Sequence, residues 1–305
     1  MGQCGWSRER TVTKTGSSGR PLLRIGLSVA VFIAVSAAAS RDAVAQSTRG
    51  PGFGEEVRYA GVNAVLSGLV AGVFQAASDD GSFTDGFLKG AAGGAVTYVG
   101  KRVTARPFDG AGILGRQIAS VGGSMVANGR DGRGALDRVV LQLGLGRLYW
   151  DRVESSASFK PDVVTMLYTA RAVANDRLDL DWSYSLSAGT PVFTTQRDRS
   201  GLDDGAAGRT FGGVILIDVD RTLPPDFIAS HERTHVVQYD QQYAAWAEAV
   251  DRGVASLFGS TVGGIIGAAD WSVGLWPFGP LVAGLSRDRN PLEMEADHLT
   301  ALGGW

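Results

Sequence analysis

Two histidines four residues apart, with a glutamate directly after the first, are the strongest chemical signal in this 305-residue chain. They lie in Ser230-His231-Glu232-Arg233-Thr234-His235-Val236-Val237-Gln238. On an α-helix, positions i and i+4 share a face, so the two imidazoles project one turn apart and suit a single metal ion. Glu232 then stands where a carboxylate acts as general base on a water held by that ion. Gln238 falls on the same face and reads as a hydrogen bonder to the site, not a ligand. The chain has only three histidines, and two of them are here.

A catalytic zinc ion takes three protein ligands and keeps a fourth position for water. The only cysteine, Cys4, lies far upstream, so the third ligand is sought among carboxylates. The best stretch is Asn290-Pro291-Leu292-Glu293-Met294-Glu295-Ala296-Asp297-His298. Pro291 suits a first helical turn. Glu293 and Asp297 share a helix face, so one can bind metal while the other accepts the free ring N–H of a ligand histidine. Glu295 is an alternative ligand, but no carboxylate follows it four residues on.

Together, His231-Glu232-x-x-His235 and Glu293-x-x-Ala296-Asp297 resemble the gluzincin class of zinc metallopeptidases. In motif form they are closest to the HtpX-like and CAAX prenyl endopeptidases. They also resemble small secreted zincin-like bacterial proteins, which often carry His-x-x-Gln, as His235-Val-Val-Gln238 does here. The resemblance covers roughly residues 211–302 and implies a role for each matching residue. His231, His235 and Glu293 would bind Zn2+, Glu232 would be general base and acid, and Asp297 would orient a ligand histidine. For the group that stabilises the transition state, the candidates are His298, Tyr239, Tyr243 and Arg287.

The elements that must position these residues are predicted to be mainly helical. Phe227 to Trp246, and on to Arg252, reads as the motif helix, entered through Leu223-Pro224-Pro225-Asp226. Phe211 to Val219 reads as the strand leading into it. Trp182, Tyr184 and Leu186 alternate with serines and predict a half-buried strand, with Val192 to Thr195 as its partner. Pro161 to Asn175 has helical spacing. Upstream, Val62–Gly72, Phe87–Arg102, Ile113–Ala127 and Ala135–Trp150 read as helices rich in small residues, consistent with the chain's 43 glycines. Val254 to Leu285 is apolar but broken by Asp270, Pro277 and Pro280, and predicts a buried or interfacial helical hairpin. The fold class is α+β, mainly helical, with a zincin-like active-site helix and a small, mostly antiparallel sheet behind a Gly-rich helical region.

Residues 1–45 read as a signal peptide: a basic lead, an apolar run from Leu27 to Ser40, and a small-x-small site with cleavage after Ala45. They carry six basic and two acidic side chains, a net of +4, so the formal −2 of the whole chain becomes −6 without them. That mild acidity argues against nucleic acid as a partner. Cys4 would leave with the leader, so the rest of the chain has neither disulfide nor thiol chemistry. Residues 46–155 are read as the Gly-rich helical region and 156–305 as the metallopeptidase domain. The function these features predict is a secreted or periplasmic zinc endopeptidase acting on peptide or unfolded protein. The rival is a non-enzymatic envelope protein whose Gly-rich helices adhere to membrane and whose metal site is structural or vestigial.

Overall fold

The computed structural model describes residues 52–78, 80–195, 206–220, 223–257 and 290–302, together with 202, 261, 263, 264, 267–272 and 275. The leader, much of the loop 197–208, much of 254–285, and Arg287 lie outside the described residues.

The glycine-rich half begins with three packed helices, α1 (Phe53–Ala76), α2 (Phe83–Thr104) and α3 (Ala111–Arg130). Their glycines are contact points: a Cβ on Gly94 would collide with the carbonyl of Asn63, and one on Gly122 with the backbone of Thr97. Backbones this close leave room only for small or slender side chains between the helices. The buried faces accordingly carry Asn63, Ser67 and Gln75 on α1 and Thr97, Lys101 and Thr104 on α2. Among the described residues only α1 is long and apolar enough to cross a membrane.

The helix expected over Ala135–Trp150 is instead a pair of strands, β1 (Arg138–Leu143) and β2 (Gly146–Asp151), continued by β3 (Ser156–Pro161) in an antiparallel sheet. Leu143 pairs with Gly146, so Gly144 and Leu145 form a two-residue turn, with Gly144 at φ +60. That positive φ, which a hairpin turn needs and glycine supplies, breaks what reads as one apolar helical run. The boundary drawn at residue 155 falls between β2 and β3, so residues 46–155 and 156–305 share this sheet.

Next come α4 (Val163–Val173), β4 (Leu178–Leu180), α5 (Trp182–Ala188), β5 (Val192–Thr195), β6 (Gly208–Phe211) and β7 (Val214–Ile217). The segment predicted as a strand at Trp182–Ser187 is therefore helical. Asp181 caps its first turn by accepting from the Tyr184 N–H at 3.0 Å, and Gly189 closes it. In so short a stretch, caps at both ends outweigh the period-two pattern. The strand expected over Phe211–Val219 is shorter, because Gly212 (φ +57) turns the chain between β6 and β7. The second sheet has the order β4-β5-β7-β6, antiparallel except for the parallel pair β5–β7.

The motif helix, α6 (Pro225–Gln242), passes through one π turn at Tyr243–Ala247 into α7 (Glu248–Leu257). Ile228, Ala229 and Val236 of α6 pack on Val192, Ile215 and Ile217 of the second sheet. Trp246 and Val250 pack on Ala71 and Val126 of the glycine-rich helices. The last helix, α8 (Pro291–Leu302), lies against α6. The fold is α+β and mainly helical, as the sequence predicts.

Candidate metal centre

α6 and α8 bring three side chains to one point. His231 Nε2 and His235 Nε2 are 3.1 Å apart. Glu293 reaches both, Oε2 at 3.3 Å from His231 Nε2 and Oε1 at 3.4 Å from His235 Nε2. Their ligand atoms form the one such cluster found among the described residues.

Hydrogen bonding decides what these nitrogens present to each other. Gln238 Nε2 donates to the Leu292 carbonyl at 3.0 Å, which leaves Gln238 Oε1 to accept. That oxygen is 2.7 Å from His235 Nδ1, so Nδ1 carries the proton and Nε2 offers a lone pair. His231 Nδ1 faces Asp297 Oδ1 at 3.2 Å. Two lone-pair nitrogens and a carboxylate facing one point repel unless a cation, either proton or metal, lies between them.

A metal ion suits the spacing. Zinc bonds of about 2.0–2.1 Å in tetrahedral geometry put neighbouring ligand atoms roughly 3.3 Å apart. Here the two nitrogens are 3.1 Å apart, each has a different Glu293 oxygen at 3.3 or 3.4 Å, and one ligand atom from each residue lies within 4.8 Å of the others. Two imidazoles and one carboxylate are also a donor set that zinc accepts with a position to spare.

Without metal, a proton does this work. Burial disfavours a charged His231, but the Asp297 and Glu293 carboxylates outweigh it and push its pKa up to about 9. The two histidines hold Glu293 well below the usual carboxylate range, against the opposing effect of its burial. A raised histidine pKa stabilises the fold fully below the ordinary value of 6.5 and loses that contribution as pH climbs through about 9. The metal-free chain should therefore lose stability between pH 6.5 and 9. Over the same interval its zinc affinity should rise, because the departing proton is zinc's competitor. Thermal unfolding in chelator and zinc titration, run at matched pH values, would test both trends; flat profiles would refute them.

Glu232 lines the same cleft, a cavity of about 670 Å³ between α6 and β6. Thr210 of β6 donates to Glu232 Oε2 at 2.7 Å and orients the carboxylate. A Cβ on Gly208 would lie 2.7 Å from Glu232 Oε1 and 2.5 Å from Ile228 Cγ2, so glycine lets the strand pass this close. Among the described residues β6 is the outer strand of its sheet.

The expected transition-state groups do not gather here. Tyr239 lines the cleft, but its hydroxyl is bonded to Asp162 and Ser272. Tyr243 donates to Asp270 at 2.6 Å and is not part of the cleft lining. His298 packs on the ring of Tyr59, with Nδ1 3.6 Å from Glu55. Arg287 lies outside the described residues. Glu295, the alternative ligand, is turned away from the cluster and paired with Lys101 at 2.7 Å. Sequence reasoning missed Thr210, Lys101 and Asn63, because no local motif marks them.

Compared with protein-family models, curated proteins and solved structures, the chain matches none. The site's chemistry therefore rests on its own geometry and on the two motifs.

Proposed function

We propose that this chain is a zinc-dependent endopeptidase of the gluzincin kind, acting on extended segments of peptide or unfolded protein. The observation that carries the proposal is the convergence of His231, His235 and Glu293, with one ligand atom from each within 4.8 Å of the others, in the cleft that also holds Glu232. His231, His235 and Glu293 would hold the zinc ion, which when bound would lower the pKa of a water and polarise the scissile carbonyl. Glu232 takes the proton of the attacking water and returns it to the leaving amine. Thr210 holds that carboxylate in place, so little reorganisation is needed when the proton moves.

The outer strand β6 supports the peptide reading. Among the described residues its one strand neighbour is β7, so a substrate strand would pair on its other side, with Gly208 and Thr210 already against α6. An extended peptide paired there runs along the cleft past Glu232 and the metal ligands. A structural metal site has no use for a general base at its rim, which disfavours the envelope-protein alternative.

The full chain should bind about one zinc ion and cleave an unfolded protein substrate. Chelation should stop cleavage and added zinc restore it. Tight zinc binding with no chelator-sensitive hydrolysis would overturn the enzymatic reading and leave the metal as a structural element.

A further inference from the structure

Behind the metal cluster lies a buried polar chain that joins it to the glycine-rich helices. Glu295 of α8 is only 5% exposed and accepts three hydrogen bonds. Asn63 Nδ2 donates to Oε1 at 2.6 Å, while Lys101 Nζ at 2.7 Å and Gln238 Nε2 at 2.8 Å donate to Oε2. Asn63 is itself fixed: Lys101 and Gln241 donate to its Oδ1, so its amide nitrogen must face Glu295. A carboxylate held this way can only accept. Gln238 Nε2 donates to this carboxylate and to the Leu292 carbonyl, and both hold its Oε1 towards His235 Nδ1.

We propose that Glu295, held by Lys101 and Asn63, is a positioning residue for the metal site: through Gln238 it keeps the proton of His235 on Nδ1 and leaves Nε2 free to bind metal. The proposal rests on the zinc reading given above. It assigns the glycine-rich half a task, because Gly94 lets α2 pack on α1 at Asn63, and Lys101 lies two turns further along α2. The buried ion pair is an expensive way to hold two helices together, since charge burial costs about what pairing returns. It is a reliable way to present an acceptor that cannot become a donor. An amide in its place would lack that property, because its two ends can exchange.

The test uses the full chain with 15N-labelled histidine, as wild type, Glu295→Gln, Lys101→Met/Glu295→Gln and Gln238→Met. Nitrogen shifts of His235 in the metal-free chain at alkaline pH show which ring atom carries the proton. Competition with a chromophoric chelator gives the affinity for Zn2+ alone. Wild type should show Nδ1–H. In Glu295→Gln the Leu292 carbonyl is the one obligate acceptor left for Gln238 Nε2, so the Nε2–H tautomer of His235 should become populated beside Nδ1–H and zinc affinity should fall, by up to about 10–100-fold.

The double variant removes the cation that Glu295→Gln strands and should behave the same way. That keeps the test open if the single variant does not fold. Gln238→Met leaves Lys101, Asn63 and Glu295 in place and should give mixed tautomers with a similar fall in affinity. A loss of affinity with His235 still protonated on Nδ1 alone would mean a merely structural effect and would overturn the proposal. Variants that match wild type in tautomer and affinity would overturn it while leaving the zinc reading intact. A wild-type chain with Nδ1–H on His235 but no zinc binding would overturn both.

Discussion

Glu232→Gln should slow peptide cleavage by about 10²–10⁴-fold, the usual contribution of a positioned general base. Zinc should stay bound. The substitution keeps the size and shape of the side chain, and the glutamine oxygen still accepts from Thr210. The three ligand side chains, His231, His235 and Glu293, are untouched. What is lost is the ability to take a proton, since an amide at neutral pH is not a base. Metal analysis of the purified variant beside cleavage of an unfolded protein substrate separates the two effects. Wild-type cleavage by a zinc-loaded Glu232→Gln chain would end the proposed mechanism. Loss of zinc along with activity would mean that Glu232 helps to build the site.

Arg147→Met should destabilise the fold by about 3–5 kcal/mol, the typical cost of removing one partner from a buried ion pair. Arg147 is 1% exposed, on β2, and its guanidinium holds three carboxylates together. Asp162 lies at 2.7 Å, Asp270 at 3.1 Å and Asp240 at 3.5 Å, with the ring of Tyr243 against its face. The three acids come from three parts of the chain: Asp162 caps α4, Asp240 is on the motif helix, and Asp270 forms an isolated bridge with Asp162.

Hydroxyls of Tyr149, Tyr239 and Tyr243 and the guanidinium of Arg116 would still donate to these acids. Arg116 reaches only Asp240, so methionine would leave Asp162 and Asp270 buried without this cation. A loss of this size is a large fraction of the roughly 5–15 kcal/mol that holds a domain folded. Arg152→Met is the control: its partner Asp137 is at 3.2 Å, but Arg152 is 64% exposed, so water screens the pair and about 0–1 kcal/mol should be lost. Denaturant midpoints of the two variants should therefore separate clearly. Equal midpoints would show that the buried network adds nothing to stability.

Much of the metal site is written locally. The spacing of His231, Glu232 and His235 on one helix, and of Glu293 and Asp297 on another, is a matter of helical period. Gln238 follows from the same period and is found bonded to His235. The mainly helical α+β class was legible for the same reason. The strands were less so. A single positive-φ glycine, Gly144, separates a hairpin from an apolar helix, and the caps at Asp181 and Gly189 make a helix of an alternating segment. Each depends on which of two competing local preferences the surrounding packing rewards.

The sequence by itself determined the donor set: two imidazoles one turn apart with a carboxylate after the first, and a later helix with carboxylates that could join them at a metal. Tertiary structure decided which carboxylate that is. Glu293 and Glu295 are two residues apart, roughly 200° around the helix, so α8 can turn only one of them to the histidines. The glycine-rich helices place a buried lysine on the other side. A buried cation needs an anion, so Glu295 goes to Lys101 and Glu293 faces His231 and His235. Lys101 is 194 residues from its partner, and no local pattern links the two. They meet because glycines let the first helices pack closely enough to carry polar side chains to the back of the site.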